Sequence, residues 1–285
     1  MTIFEAYCEA KKRLEAAKIE DYVFEAKQII KFVTGFNNIQ ILNNYQQPLT
    51  EYQENYLTVI LHQREIRYPL QYIFGEWEFY GRPFKVGVGV LVPRADTEIL
   101  VEKCLEYLKD KETPKILDLC TGSGCIGITL AKELPNAKVK MLEKYDEAFK
   151  YANQNITLNN VENACLVKGD IFKADCAEEG FDLIVSNPPY IPQNEMNEIS
   201  PETKLEPETA LLGGEDGLIF YKAIIKNYKN SLNKDGIIAF EVGINQSGKV
   251  ADLLKENGFK DINITKDFNN IERVVTAIGG NTNGN

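Results

Sequence analysis

Four residues, Asn187-Pro188-Pro189-Tyr190, follow an apolar run, FDLIV, that reads as a buried strand. Proline fixes its own φ and donates no N–H. Pro189 in turn restricts Pro188 to extended geometry. The Pro188 carbonyl is therefore held in a preset direction, and the Asn187 side-chain oxygen is a second acceptor nearby. Two acceptors on a rigid corner suit a donor with two hydrogens, an –NH2 group. Tyr190 adds a flat face for a planar group, either an amide or a base. Such a nitrogen is a poor nucleophile because its lone pair is delocalised. Holding both N–H bonds favours a more pyramidal nitrogen and aims the lone pair at an electrophile. Catalysis of this kind is mainly positioning, worth roughly 7–11 kcal/mol in favourable cases, helped by dipoles that face developing positive charge.

A second cluster lies earlier. KILDLCTGSGCIG sets a strand, a tight turn and a helix in order, and ligands of α/β sheets bind beyond the strand ends at such turns. Gly122 and Gly124 let backbone approach a ligand closely. No GK[ST] follows, so the turn is not a Walker-type phosphate loop. Glu143 ends the next strand, where a carboxylate can accept from both ribose hydroxyls. Asp170 ends the third, where a carboxylate can accept from an adenine amino group, with Ile171 or Phe172 over the adenine face. Each acid alone also fits a blander role, a solvated pair with Lys144 or the cap of a turn. Together, on successive strand ends, they imply an adenosine without a phosphate clamp. S-adenosylmethionine fits: it has ribose, adenine and a sulfonium, and no phosphates. Its methyl is the electrophile that the nitrogen at the proline corner requires.

Composition narrows the class. A hydrophobic fraction of 44% and a charged fraction of 26% over 285 residues are those of a soluble globular chain of one large or two modest domains. No apolar run is long enough to span a bilayer, and the N-terminus lacks the basic start and apolar block of a signal peptide. The six cysteines, at 8, 104, 120, 125, 165 and 176, form no CxxC pair, so no metal site is expected and reduced thiols in the cytoplasm are. The sole histidine, His62, lies in the first third of the chain, away from any candidate nucleophile. Net charge is −10; residues 1–75 hold eight Lys/Arg and nine Asp/Glu, leaving −9 on the remainder. That balance opposes a nucleic-acid substrate, which calls for a basic surface.

These residues need a frame. Residues 1–74 read as a small helical domain: Ile3, Phe4, Tyr7 and Leu14 on one face of a first helix, Tyr22 to Val33 in a second that stops at Gly35, and Tyr56, Leu57, Ile60 and Leu61 on a face of a long helix opened by Pro48 and Thr50. Residues 75–93 mix aromatic and β-branched residues with glycine and read as a β-hairpin linker. Across 94–279 strands and helices alternate, which gives a Rossmann-like α/β domain with a parallel sheet, and the last two strands can add an antiparallel edge. The tail 280–285, GNTNGN, is expected to be disordered.

The combination of D-x-x-T-G-S-G, the acids at 143 and 170, and NPPY resembles the class I S-adenosylmethionine-dependent N-methyltransferases. NPPY alone suits either adenine-N6 or glutamine-N5 transfer. LVPRADTEILVE (91–102), VSNPPYIP, EPETALLGGEDGL and the later ERVV resemble the release-factor glutamine N5-methyltransferase (PrmC/HemK) family over nearly the whole chain. The resemblance implies methylation of the glutamine amide in the Gly-Gly-Gln motif of class 1 peptide chain release factors. Asn187, Pro188, Pro189 and Tyr190 would then hold the substrate amide, and Asn187, Pro188 and Tyr190 would act in catalysis. Cys120, Thr121, Gly122, Ser123, Gly124, Glu143, Asp170, Ile171 and Asn187 would contact the cofactor, and the N-terminal helices the release factor. A monomer is expected. The rivals are methylation of a ribosomal-protein glutamine and of adenine N6 in DNA. The chain departs from the family at Ala95, where proline is usual, and at Cys120, where glycine is; a side chain at 120 must point away from the cofactor or narrow its pocket.

Overall fold

The computed structural model describes residues 1–279; the tail expected to be disordered lies outside them. The chain forms two compact units, Met1–Gly75 with Ser200–Leu205, and Glu76–Ile199 with the chain from Glu206 onward.

The first unit is helical: α1 (Ile3–Ala16), α2 (Tyr22–Thr34), α3 (Asn38–Asn43), α4 (Glu51–Glu65) and α5 (Leu70–Phe74). Capping boxes open three of them, Thr2 with Glu5, Asn37 with Gln40, and Thr50 with Gln53. Gly35 ends α2 at a left-handed φ of 70°. The buried stripe of α1 is Ile3, Ala6, Ala10 and Leu14. Phe4, expected on that face, is half exposed and meets the Tyr45 ring edge-on at 5.7 Å; Tyr7 is only half-buried. Alanines at the contact let α1 lie close to its neighbours, which moves the aromatic residues to the rim.

Arg64 of α4 is fully buried in this unit. Its guanidinium donates to Glu25 at 2.8 and 3.0 Å, to the Tyr68 carbonyl at 2.8 Å, and to Glu202 at 3.2 Å. Arg67 donates to the other Glu202 oxygen at 3.0 Å. This ion-pair group ties Ser200–Leu205, far along the chain, into the helical unit.

The second unit begins with a two-stranded hairpin, β1 (Glu76–Phe79) and β2 (Arg82–Lys85). The helix α6 (Asp96–Leu108) follows. Then strands and helices alternate: β3 (Lys115–Leu119), α7 (Cys125–Glu133), β4 (Lys138–Glu143), α8 (Asp146–Leu158), β5 (Ala164–Lys168), β6 (Phe181–Ser186), α9 (Ile219–Tyr228), β7 (Leu232–Glu241), α10 (Ser247–Glu256), β8 (Lys260–Lys266) and β9 (Glu272–Ile278). The seven-stranded sheet has the order β5-β4-β3-β6-β7-β9-β8. The first five in that order are parallel, and β9 runs antiparallel between β7 and β8. The final pair thus extends the sheet as expected, with β8 outermost. Apolar layers cover both faces, which is why the central strands are continuous apolar runs. Among the described residues no helix is long and apolar enough to cross a membrane.

Arg64→Ala leaves Glu25 without its cation and Glu202 with Arg67 alone, and is expected to lower unfolding stability by about 3 kcal/mol. Urea unfolding of the full chain measures it. A loss below about 1 kcal/mol would mean that desolvation of the group cancels its pairing.

Candidate active site

The chain order along the sheet reverses beside β3, so the crevice lies beyond the C-terminal ends of β3 and β6. Register does the placing. Leu119 pairs with Ser186 and with Leu142. The turn that starts at Cys120, the corner that starts at Asn187, and Glu143 therefore leave the sheet side by side. Ser186 Oγ donates to the Leu119 carbonyl at 2.6 Å and ties the two strand ends together.

In the turn, φ is left-handed at Cys120 (59°), Gly122 (58°) and Gly124 (83°). A Cβ on Gly122 would meet nothing within 4 Å, so this glycine opens on free space. A Cβ on Gly124 would come within 2.9 Å of Ile128 and 3.3 Å of Met141, so this glycine serves helix–sheet packing. Cys120 holds a conformation that favours glycine. Its side chain packs against the core layer containing Leu119 and Ile171, and burial pushes the thiol pKa up.

Glu143 is buried. Its Oε1 accepts from the backbone N–H of Lys144 and Tyr145, each at 2.9 Å, and its Oε2 from Gly122 N–H at 2.9 Å. Burial raises its pKa against these three donors. The carboxylate therefore shapes the turn, with capacity left on Oε2 for a further donor. Asp170 does both things its position allowed. It caps a short 3-10 helix, Ile171–Lys173, through Phe172 N–H at 3.0 Å, and pairs with Lys144 at 3.0 Å. Burial would raise its pKa, but that N–H and Lys144 hold it below the usual carboxylate range. Asp118, fully buried in β3, accepts from Gly127 N–H at 3.0 Å and from the Thr121 hydroxyl, and burial pushes its pKa up to about 7.

The proline corner is braced from outside. The Tyr190 carbonyl accepts from Gln246 Nε2 at 2.8 Å. Ile191 N–H donates to the Leu211 carbonyl, and Gly213 N–H to the Ile191 carbonyl, both at 2.9 Å. Any Cβ on Gly213 would fall 2.7 Å from Tyr190 Cα, and on Gly217 2.4 Å from the Tyr190 carbonyl oxygen. The glycines of ALLGGEDGL thus form a cradle that only bare backbone fits. Pro188 and Pro189 are buried and Tyr190 is half-buried.

One cleft, holding about 940 Å³ of empty space counted to its open mouth, is bordered by Cys120, Thr121, Gly122, Ser123, Glu143, Asp170, Ile171, Asn187 and Pro189. Gly124, Pro188 and Tyr190 do not border it. Sequence reasoning missed Val90–Arg94, Thr97, Tyr145, Pro207, Thr209, Ala210 and Phe220, which do. The motif LVPRADTE marked some of these as a unit without saying what it faces. Phe172, half exposed, meets the Phe220 ring edge-on at 5.2 Å on the same wall. The two cations at the border are neutralised, Lys144 by Asp170 and Arg94 by the buried Glu206, which also accepts from Val92 N–H at 2.9 Å. A ribose-and-adenine ligand carrying positive charge fits this donor set, and a phosphate does not.

Comparison with known proteins agrees. Residues 5–75 match the family model described as PrmC N-terminal domain, and residues 95–204 that described as methyltransferase small domain. The chain is 40% identical to the release factor glutamine methyltransferase of Fusobacterium nucleatum over 257 residues, 90% of this chain and 73% of that one. It is 41% identical to that of Thermodesulfovibrio yellowstonii, covering 88% and 90%. With that of Clostridium acetobutylicum it shares 35%, covering 98% and 99%. Among solved structures, a methyltransferase from Pyrococcus furiosus superposes with a TM-score of 0.52 at 22% identity, covering 71% of this chain and 91% of that one. The hMettl16 catalytic domain superposes with a TM-score of 0.55 at 17% identity, covering 80% and 83%. These two establish the class I methyltransferase fold. The sequence relatives go further, and by them the chain belongs to the release factor glutamine methyltransferase family.

Proposed function

We propose that the chain transfers a methyl group from S-adenosylmethionine to the side-chain amide nitrogen of the Gly-Gly-Gln glutamine in class 1 peptide chain release factors. The observation that carries this reading is the β3–β6 register, which sets the Asn187 corner directly beside the glycine turn. Family membership supports the substrate. The same reading makes the chain a cytoplasmic monomer that acts on protein, without a metal and without direct contact to nucleic acid.

When bound, the cofactor would supply an electrophilic methyl on its sulfonium; as the N–C bond forms the S–CH3 bond breaks, and S-adenosyl-L-homocysteine is the product. Everything else falls to the chain. Glu143 and Asp170 hold the ribose and adenine ends, Phe172 and Ile171 the adenine faces, and Gly122 gives the backbone clearance that close approach needs. Thr121 and Ser123 line the same turn. Asn187 Oδ1 and the Pro188 carbonyl accept the two amide hydrogens of the glutamine, and Tyr190 lines its slot. No base is needed before attack, because the nitrogen becomes acidic once methylated and releases its proton to water.

The test is transfer of labelled methyl to three substrates: a release factor, the same factor with its motif glutamine replaced, and duplex DNA. Label confined to the intact factor supports the reading; label on DNA, or on a ribosomal protein offered in parallel, overturns it. Asn187→Ala is expected to lower turnover roughly 10²–10³-fold with the fold intact, as for loss of one oriented transition-state dipole. Asn187→Asp keeps an acceptor but adds charge, and is not expected to rescue; wild-type turnover in Asn187→Ala would refute the two-acceptor account. Glu143→Gln turns an amide N–H toward backbone donors, and is expected to weaken S-adenosylmethionine binding roughly 10- to 100-fold by calorimetry.

A further inference from the structure

Asn187 can serve as an acceptor in only one of its two amide orientations. Flipped by half a turn about its last bond, the same side chain presents an NH2 group, which repels the hydrogens it should accept. Something behind it must choose. β6 and β7 pair in parallel with Ser186 opposite Phe240, so the next residues are neighbours: Asn187 just past the end of β6, and Glu241, the last residue of β7. Glu241 is buried, and one of its carboxylate oxygens, Oε2, has no hydrogen-bond partner. The Thr97 and Asn187 side chains lie beside this carboxylate, and each favours its charged form. Thr97, buried in the first turn of α6, accepts from Asn187 Nδ2 at 3.3 Å.

We propose that Glu241 is a positioning residue that, with Thr97, fixes which end of the Asn187 amide faces the cleft. The logic is one of proton count. A carboxylate only accepts, so the Thr97 hydroxyl must spend its single hydrogen on Glu241. Thr97 Oγ1 can then only accept, and what it accepts is Asn187 Nδ2. With Nδ2 engaged on Thr97, beside Glu241, Oδ1 is left for the substrate. A neutral Glu241 can donate, which removes this constraint and lets the Asn187 amide turn over. This inference rests on the assigned role of Asn187 in the proposed reaction.

The surroundings keep the group poised between its two forms. The nearest guanidinium, Arg273, is engaged by Asp96 at 3.2 Å and by Asp267 at 3.1 Å. Asp96, Tyr190 and Cys125 also feel the Glu241 charge, and the Tyr221 hydroxyl donates to its backbone carbonyl at 2.8 Å. Burial, against the Thr97 side chain and the Arg273 charge, pushes the Glu241 pKa up to about 7. A raised carboxylate pKa means that the working form is present above it and is lost as pH falls through it.

The experiment compares wild type, Glu241→Gln, Thr97→Val and Thr97→Ser by kcat, KM and S-adenosylmethionine affinity from pH 5.5 to 8.5, and follows the Asn187 side-chain amide by 15N NMR without substrate. Glu241→Gln is expected to lower kcat roughly 10- to 100-fold, the usual cost of losing an outer partner that orients a functional side chain, with cofactor affinity and KM little changed. Wild-type kcat should fall below about pH 7, and Glu241→Gln should lack that limb. Thr97→Ser should keep activity and Thr97→Val lose it. The Asn187 amide signals should shift with the same midpoint in wild type only. Wild-type kcat and an unchanged pH limb in Glu241→Gln would overturn the proposal, as would equal activity of the two Thr97 variants should Glu241→Gln fail to fold. If no release factor is methylated at all, the functional reading fails; the NMR signals still decide whether Glu241 orients Asn187.

Discussion

The site depends on the pairing of β3 with β6. In a parallel pair a slip of one residue turns every side chain to the opposite face. Here both faces are packed against apolar layers, so a slip would carry Asp118 away from Thr121 and Gly127 and drive Leu117 and Leu119 into the layer shaped around Ile116. Core burial therefore fixes the register of Leu119 with Ser186, and that register fixes the relation of the glycine turn to the proline corner. Neither loop needs to find the other. Each begins one residue past a strand end that the core has already placed, and the Ser186–Leu119 hydrogen bond holds the exit closed.

What the chain shows locally could be read in its sequence. Glu143 ends β4 as read, Asp170 lies two residues past the end of β5 rather than at it, Asn187 starts a rigid corner, and each signal lies within a few residues. Gly35 ends α2 as read, because a left-handed cap is a local demand. Other features depend on partners distant along the chain. Gln246 reaches the Tyr190 carbonyl across 56 positions, and Glu202 reaches Arg64 across 138. No periodicity announces either. Phe4 was misplaced because helical spacing gives a face but not the clearance between helices; alanines took the contact. Thr97 and Glu241 were missed for a related reason. Each looks ordinary in its own helix or strand, and becomes significant only when the sheet sets it behind Asn187.

Buried acids without matching cations recur around the cleft. Asp118, Glu143 and Glu241 each lose solvation, and each has a pKa raised by burial. Lone buried carboxylates are costly unless hydrogen-bonded. Here backbone N–H groups and hydroxyls supply that bonding. All three sit directly against the elements that must stay rigid, Asp118 and Glu143 against the turn and Glu241 against the Asn187 corner. Their cost is offset by the local order they impose.

The same reasoning explains why this turn is not a phosphate site. Left-handed φ at Cys120, Gly122 and Gly124, one residue in two, is the kind of backbone alternation that gathers N–H groups into an anion-binding concavity. Four of the donors in and around it are already taken. Gly122 N–H goes to Glu143, Gly127 N–H to Asp118, Gly124 N–H to the Thr121 carbonyl, and Thr121 N–H to the Leu142 carbonyl. Two of the anions that satisfy the turn belong to the protein itself. An incoming phosphate would find a carboxylate where it needs a donor, and the bordering cations Lys144 and Arg94 are held by Asp170 and Glu206. A ligand that brings hydroxyl and amino donors and a positive charge meets the opposite situation. The internal acids of the turn thus select the class of ligand as well as its position, and they do so before any substrate reaches Asn187.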